Sequence, residues 1–172
     1  MNVVNIWRQL PPDWYLVIKE HSNAIGDRSY DFYKKLRKYP RIIIMNEHAD
    51  AQQLMRKSQV VITNTGTMAL EAALQGIPAI TLSKVIFNIL NYCRHCTWQE
   101  FEQFNSLEQL VEDIRSMPQN NEDYAKLVEE YAYDGVLTDV VTMPDVLNEN
   151  NVSNLVYSFV SLIDFNNRRL HL

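Results

Sequence analysis

The sequence predicts an α/β fold in which parallel strands alternate with helices, and three observations support this class. Short runs rich in aromatic and β-branched residues alternate with stretches of helical apolar spacing over the first two-thirds of the chain. The predicted strands are nearly continuous apolar runs, as in parallel strands that are buried on both faces. Joining four such strands through three helical segments requires right-handed crossovers. We therefore expect a single Rossmann-like three-layer domain with a parallel sheet and a helical C-terminal segment.

The α/β core is assigned to residues 13–104 and follows a linker helix at residues 1–12. Strands are predicted at residues 14–19, 41–45, 59–63 and 78–82, with helices between them at residues 28–39, 50–57 and 67–75. Pro40 is expected to end the first of these helices, because the residue before a proline avoids the helical conformation. Asp50 is expected to cap the second helix, and Gly76 is expected to end the third.

We expect one domain that spans residues 1–172. Its remaining part, residues 105–172, is expected to be mainly helical. Helices are predicted at residues 106–117, 122–133 and 152–164, with a loop between the last two. The last helix carries apolar residues at positions 152, 155, 156, 159, 160 and 163. A stripe this broad requires a partner surface, so we expect self-association through residues 152–163 when no other partner covers it.

Composition excludes several classes of protein. The net charge of −5 and the pI near 5.3 argue against nucleic acid as a partner, which usually requires a basic face. No apolar run reaches the roughly 18 residues of a membrane span, and the N-terminus lacks the pattern of a signal peptide. Two cysteines do not make a disulfide framework. We therefore expect a cytoplasmic location, including a peripheral one at the inner face of the membrane.

Polar residues follow each predicted strand, where an open parallel sheet binds its ligands. They lie at residues 20–22, 46–48, 64–67 and 83–84. Because the carboxyl ends of parallel strands share one edge of a sheet, we expect these segments to converge there.

The segment 63–72, with the sequence TNTGTMALEA, is the most informative of these. A buried strand ends in a glycine-containing turn, and a helix begins at once. Thr65 and Thr67 offer hydroxyl donors, and Gly66 allows an anion to approach the backbone, which together predict a phosphate site. The pattern is neither GxxxxGK[ST] nor GxGxxG. The alternative is a threonine-capped helix in which Gly66 only makes a tight turn.

Three further residues are candidate ligand contacts. Glu71 lies among apolar neighbours one turn into the helix and could accept hydrogen bonds from ribose hydroxyls; the alternative is an exposed or locally paired carboxylate. His21 closes the first strand and could donate to a phosphate oxygen, or serve only as a satisfied loop residue. Arg28 opens the next helix and could bind phosphate in a bidentate manner, or remain a solvated surface charge.

The remaining motifs point to no metal or cofactor. Cys93 and Cys96 form a single CxxC with no second pair at zinc spacing. His48 and Asp50 have no further spaced ligands, and there is no GxSxG nucleophile elbow. We therefore expect no resident metal and no cofactor.

Taken together, these segments resemble bacterial capsule and surface polysaccharide biosynthesis proteins, which are similar to the Kdo-transferase-like glycosyltransferases of the GT-B fold. The resemblance covers about residues 10–90. It rests on Lys-Glu-His at 19–21, Gly-Asp-Arg-Ser at 26–29, the segment 63–67, Glu-Ala at 71–72 and Gly-Ile-Pro at 76–78.

The resemblance implies a donor-binding half of a glycosyltransferase, with a nucleotide sugar as its ligand and no metal. The family's KEHP segment matches residues 19–22, with Ser22 in place of proline, and implies that His21 contacts the donor phosphate and stabilises the leaving group. Its TGTxxxEA segment matches residues 65–72, so Thr65, Gly66 and Thr67 would hold phosphate and Glu71 would lie near the ribose. No residue is assigned as a catalytic acid or base.

The same resemblance implies a missing N-terminal Rossmann-like half, or a partner subunit that supplies it. A GT-B enzyme needs two such halves, and this chain has room for one. We therefore expect a fragment, a split gene product or a truncated protein that is inactive alone. Two alternatives stay open, namely a nucleotide-sugar epimerase-like domain and a non-catalytic α/β assembly module.

Overall fold

The computed structural model describes residues 3–20, 28–104, 106–138, 140 and 143–169. The contact pattern divides the chain into two compact units, Met1–Tyr124 and Ala125–Leu172. All of the strands among the described residues belong to the first unit. The assignment of one domain to residues 1–172 stays a prediction.

Five short parallel strands form two sheets in the described part of the first unit. They are β1 (Leu16–Ile18), β2 (Ile42–Ile44), β3 (Val61–Thr63), β4 (Ala79–Thr81) and β5 (Cys93–His95). One sheet has the order β1-β2 and the other has the order β3-β4-β5, with every pairing parallel. The predicted α/β class with parallel strands is thereby confirmed.

The strand predictions differ from the structure in two respects. The four predicted strands are all present, but they lie in two separate sheets and not in one continuous sheet. A shared hydrophobic core connects the two sheets. Leu16 of the first sheet and Ile62 of the second pack against the same buried cluster, which includes Ile80 and Phe101. The second difference is β5, which the sequence did not predict because two of its three residues, Arg94 and His95, are polar.

Helices connect these strands and cover the sheets of the first unit. They are α1 (Val3–Arg8), α2 (Tyr30–Leu36), α3 (Ala51–Arg56), α4 (Met68–Leu74), α5 (Trp98–Gln103) and α6 (Leu107–Arg115), and a 3-10 turn spans Ile86–Ile89. The predicted linker helix is represented by α1, whose Ile6 is buried in the core. The amphipathic helix α6 buries Leu107, Leu110, Val111 and Ile114, at the spacing of one helix face.

Two of the predicted helix ends are confirmed. The Asp50 carboxylate accepts a hydrogen bond from the backbone N–H of Gln53 at 3.1 Å, as an N-cap does. After α4, Gly76 adopts φ of +74°, a left-handed conformation that favours glycine. These two local signals place α3 and α4 between the strands on either side of them.

Strand β4 is the most deeply buried strand in the described chain. Ala79, Ile80 and Thr81 all have 0% exposure. On one side its backbone pairs with β3, and on the other it pairs with β5. Because a buried backbone must satisfy its polar groups, this double pairing fixes the positions at which all three strands end.

The second unit is helical in its described part. A helix α7 (Asn121–Tyr131) crosses the division between the units, and a 3-10 turn at Pro144–Leu147 precedes α8 (Glu149–Arg169). The predicted final helix is therefore present, and it begins earlier and ends later than residues 152–164. Among the helices that the structure describes, none has the length and apolar content of a membrane span.

The Asn88 side chain hydrogen bonds to both β4 and β5, so its removal should destabilise the first unit. Its side-chain amide donates to Thr81 Oγ1 at 2.9 Å and to the Cys93 carbonyl at 3.0 Å, and its oxygen accepts from the Val85 N–H at 2.8 Å. We expect Asn88→Ala to lower the free energy of unfolding by about 2–3 kcal/mol, because it leaves buried polar groups unpaired. Urea denaturation measures this loss, and the exposed Asn150→Ala is the control. A loss no larger than in the control would contradict this role.

Candidate functional site

The candidate site is the β3–α4 corner, defined here as residues 64–67, at the carboxyl end of β3. The corner follows Thr63, the last residue of β3, and leads directly into α4. Asn64, Thr65 and Thr67 are exposed, and Gly66 is partly buried. Its position is the one at which parallel sheets usually bind ligands.

Thr63 shapes this corner through its hydroxyl group. The backbone N–H of Gly66 donates to Thr63 Oγ1 at 3.1 Å. A Cβ atom at position 66 would lie only 2.8 Å from that same oxygen. The Thr63 hydroxyl therefore leaves too little room for a larger side chain at position 66. The Gly66 N–H is already hydrogen bonded within the protein.

The ends of β3 and β4 are joined by paired side chains and backbone groups. Ser83 Oγ donates to Asn64 Oδ1 at 3.0 Å, and the Ser83 N–H donates to the Asn64 carbonyl at 3.2 Å. The predicted convergence of polar segments is thus observed for the segments that follow these two strands.

The Thr65 and Thr67 hydroxyls lie at the exposed surface of the corner. Neither of them makes a hydrogen bond within the described residues. Thr67 occupies the N-cap position of α4, but its backbone is helical (φ −62°, ψ −17°) and its side chain does not cap the helix. The alternative of a threonine-capped helix is therefore not what the structure contains, and both hydroxyls are available to a ligand.

Glu71 is a locally paired carboxylate. Gln52 on α3 donates a hydrogen bond to Glu71 Oε2. The same Gln52 accepts from Gln75 at 3.5 Å, and Gln75 accepts from Arg56 Nε at 3.3 Å. Glu71 therefore anchors a chain of hydrogen bonds between α3 and α4, while its contact with a ribose stays a prediction.

A second polar group surrounds Tyr33, near the ends of β1 and β2. The Glu20 carboxylate is the main cause that raises the pKa of the Tyr33 phenol, first through hydrogen bonding and also through its charge, and burial acts in the same direction. The exposed Arg28 lies over the ring of Phe32 at 5.6 Å. His21 lies outside the described residues, so its predicted role stays a prediction.

The two cysteines are buried free thiols in and beside β5. Cys93 and Cys96 are each 1% exposed, and burial raises the pKa of both, that of Cys93 to about 11. Low thiolate content makes them poor nucleophiles and poor metal ligands at neutral pH. In the described residues, no group of three or more His, Cys, Asp or Glu side chains is arranged to hold a metal ion.

The structure adds two residues that sequence reasoning missed at this site. Thr63 opened the predicted segment 63–72 as the end of a strand and was given no role in the turn, although a threonine three positions before Gly66 is a recognisable hydroxyl-turn pattern. Gln52 had no local signal, because its contact with Glu71 depends on how α3 packs beside α4.

The first unit is an α/β structure with parallel sheets, and it presents polar side chains where β3 and β4 end. Residues 3–114 match the family model described as capsule polysaccharide biosynthesis protein. This match covers well over half of the chain and contains both sheets and the β3–α4 corner, so the chain belongs to the capsule polysaccharide biosynthesis family. Searches of curated proteins and of solved structures give no significant match.

The contact between Gly66 and Thr63 predicts a coupled effect on stability. Gly66→Ala should lower the free energy of unfolding by about 1–3 kcal/mol, because the new methyl group meets Thr63 Oγ1. In a Thr63→Ala background the same change should cost less, by about 1 kcal/mol. A double-mutant cycle measured by urea denaturation gives this coupling, and strictly additive losses would contradict it.

Burial of the thiols predicts their reactivity. In the folded protein at about pH 8, Cys93 and Cys96 should react with an aromatic disulfide reagent only slowly, since the thiolate is the reacting form. After denaturation in guanidinium both should react quickly. Rapid labelling of the native protein would show that the thiols are accessible and would contradict a purely structural role.

Proposed function

We propose that this chain is the nucleotide-sugar-binding half of a glycosyltransferase that acts in capsular or surface polysaccharide biosynthesis. The ligand would be a sugar linked to a nucleotide through phosphate. Its phosphate groups would bind at the β3–α4 corner, with Thr65, Gly66 and Thr67 in contact and with His21 and Arg28 contributing from the segment after β1.

The main support for this proposal is that some polar groups of the β3–α4 corner have hydrogen-bond partners within the protein and others do not. The Thr63 hydroxyl accepts from the Gly66 N–H, and the Ser83 hydroxyl donates to Asn64 Oδ1, so these oxygens are engaged within the protein. The hydroxyls of Thr65 and Thr67 are exposed and have no partner among the described residues. Two exposed hydroxyl donors at the end of a parallel strand suit the oxygens of a phosphate group.

The chemistry that such a site supports is stabilisation of the leaving group. During transfer, the bond between the anomeric carbon of the sugar and the phosphate oxygen breaks, and negative charge develops on the nucleotide phosphate. Hydrogen-bond donors that are already positioned at this charge lower the barrier. Thr65, Thr67 and His21 would supply these donors, and the scheme uses no metal ion.

Acceptor binding requires a second element in this proposal. Glycosyltransferases of the GT-B type place donor and acceptor between two Rossmann-like halves. We infer that the acceptor-binding half is supplied by another polypeptide segment or by a partner subunit. The described first unit would then bind a nucleotide without transferring sugar on its own.

Titration calorimetry with CMP, CDP, UDP and GDP tests the proposed ligand. We expect one or more of these nucleotides to bind, and Thr65→Val with Thr67→Val to weaken that binding by about tenfold or more through the loss of both donors. Thr138→Val, at an exposed threonine of the second unit, is the matched control and should leave the affinity unchanged. Absence of binding by the wild type would favour a non-catalytic assembly module instead.

His21→Ala provides a separate prediction about the segment after β1. We expect it to weaken nucleotide binding while the melting temperature changes little, because its assigned contact is with the ligand. Calorimetry and a thermal melt on the same sample measure both quantities. A large drop in melting temperature with unchanged affinity would mean that His21 serves the fold.

A further inference from the structure

Four side chains form a chain of hydrogen bonds between α3 and α4, which we call the α3–α4 relay. Arg56 Nε donates to Gln75 Oε1 at 3.3 Å. Gln75 Nε2 donates to Gln52 Oε1 at 3.5 Å, and Gln52 Nε2 donates to Glu71 Oε2. Gln52 and Glu71 lie in the first turns of α3 and α4, whereas Arg56 and Gln75 lie where these helices end. The relay therefore runs from the ends of the two helices to their beginnings, and α4 begins at the β3–α4 corner.

The chemical types at the two ends of the relay fix the direction of every hydrogen bond in it. A guanidinium group can only donate, and a carboxylate can only accept. Gln75 therefore turns its oxygen toward Arg56 and its nitrogen toward Gln52. Gln52 in turn presents its nitrogen to Glu71, because the opposite amide orientation would place an oxygen against the carboxylate. The orientation of the Gln52 amide is thus determined by its partners on both sides.

Glu71 keeps one carboxylate oxygen available for a ligand. Gln52 occupies Oε2, whereas Oε1 has no hydrogen-bond partner among the residues that the structure describes, and the side chain is partly buried. The Glu71 N–H donates to the Thr67 carbonyl, so the two residues share a face of α4, with Cβ atoms about 5–6 Å apart. Side chains of an α-helix lean toward its N-terminus, which here is the direction of the β3–α4 corner. A phosphate bound at Thr67 would therefore bring the attached ribose to the level of Glu71.

We propose that Gln52 is a positioning residue for nucleotide binding: it holds Glu71 Oε2, so that Oε1 accepts hydrogen bonds from the ribose hydroxyls. The inference rests on the proposed function and deepens it, because it makes the ligand a ribonucleotide. Glu71 touches the ligand, and Gln52 acts through Glu71. A nucleotide without these hydroxyls would leave Oε1 unpaired in a partly buried position, and this loss is the physical basis of discrimination against it.

Titration calorimetry of the full chain with UDP and CMP, and with their 2′,3′-dideoxy counterparts, tests the inference. The wild type should bind at least one ribonucleotide, about tenfold more tightly than its dideoxy form, since a hydrogen bond to a carboxylate is lost. Glu71→Ala and Gln52→Ala should remove most of this preference by weakening ribonucleotide binding, while the affinity for the dideoxy form changes little. Gln53→Ala, at a neighbouring exposed glutamine outside the relay, is the matched control and should retain the preference.

A double-mutant cycle separates a positioning role from a structural one. If Gln52 acts only through Glu71, Gln52→Ala should weaken ribonucleotide binding by no more than about twofold in a Glu71→Ala background. Urea denaturation of each variant establishes that it folds. The ratio of ribonucleotide to dideoxynucleotide affinity is the deciding readout, because a loss of packing between α3 and α4 would lower both affinities alike.

Three results would overturn the inference, and they differ in what they leave standing. Equal affinity of the wild type for both forms, with binding still weakened by Thr65→Val with Thr67→Val, would exclude the ribose contact and leave the proposed function in place. A preference that Gln52→Ala preserves, or equal losses for both forms in that variant, would mean that the relay only joins the two helices. Failure of every nucleotide to bind would remove the proposed function, and this inference with it.

Discussion

The pairing of β4 on both of its edges is the constraint on which the rest of the first unit depends. Its three residues are fully buried, and its backbone pairs with β3 on one side and with β5 on the other. Because all three strands run in the same direction, their carboxyl ends share one edge. This arrangement brings Asn64 and Ser83 within hydrogen-bonding distance. The β3–α4 corner is consequently anchored to the core, and the hydroxyls of Thr65 and Thr67 are exposed on it.

Sequence reasoning could predict the parts of this structure that depend on local patterns. The apolar runs around β1 to β4, the cap at Asp50 and the glycine turn at Gly76 all act over a few residues, and the structure contains each of them. Other features depend on packing between distant segments and could not be predicted. Strand β5 has little apolar pattern of its own and is held by its partner β4, and Gln52 reaches Glu71 only because α3 lies beside α4.

Within the candidate site, the residue types were predictable and their hydrogen-bonding states were not. The TNTGT pattern indicated an anion site, yet it could not show that Thr63 engages the Gly66 N–H or that Thr67 does not cap its helix. Those details alter the chemistry, since they remove the Gly66 N–H from the available donors and leave the predicted hydroxyls of Thr65 and Thr67. The chain belongs to the capsule polysaccharide biosynthesis family, and the matched residues include this corner.

Amide NMR spectroscopy can show whether the β3–α4 corner receives the phosphate of a nucleotide. Titration of the isotope-labelled chain with UDP or CMP reports the position of the ligand residue by residue, without any need for sugar transfer. We expect the largest shifts on the amides of residues 65–68 and smaller shifts toward the opposite ends of the strands. Shifts confined to residues at those opposite ends, such as 59–60 and 78–79, would contradict it.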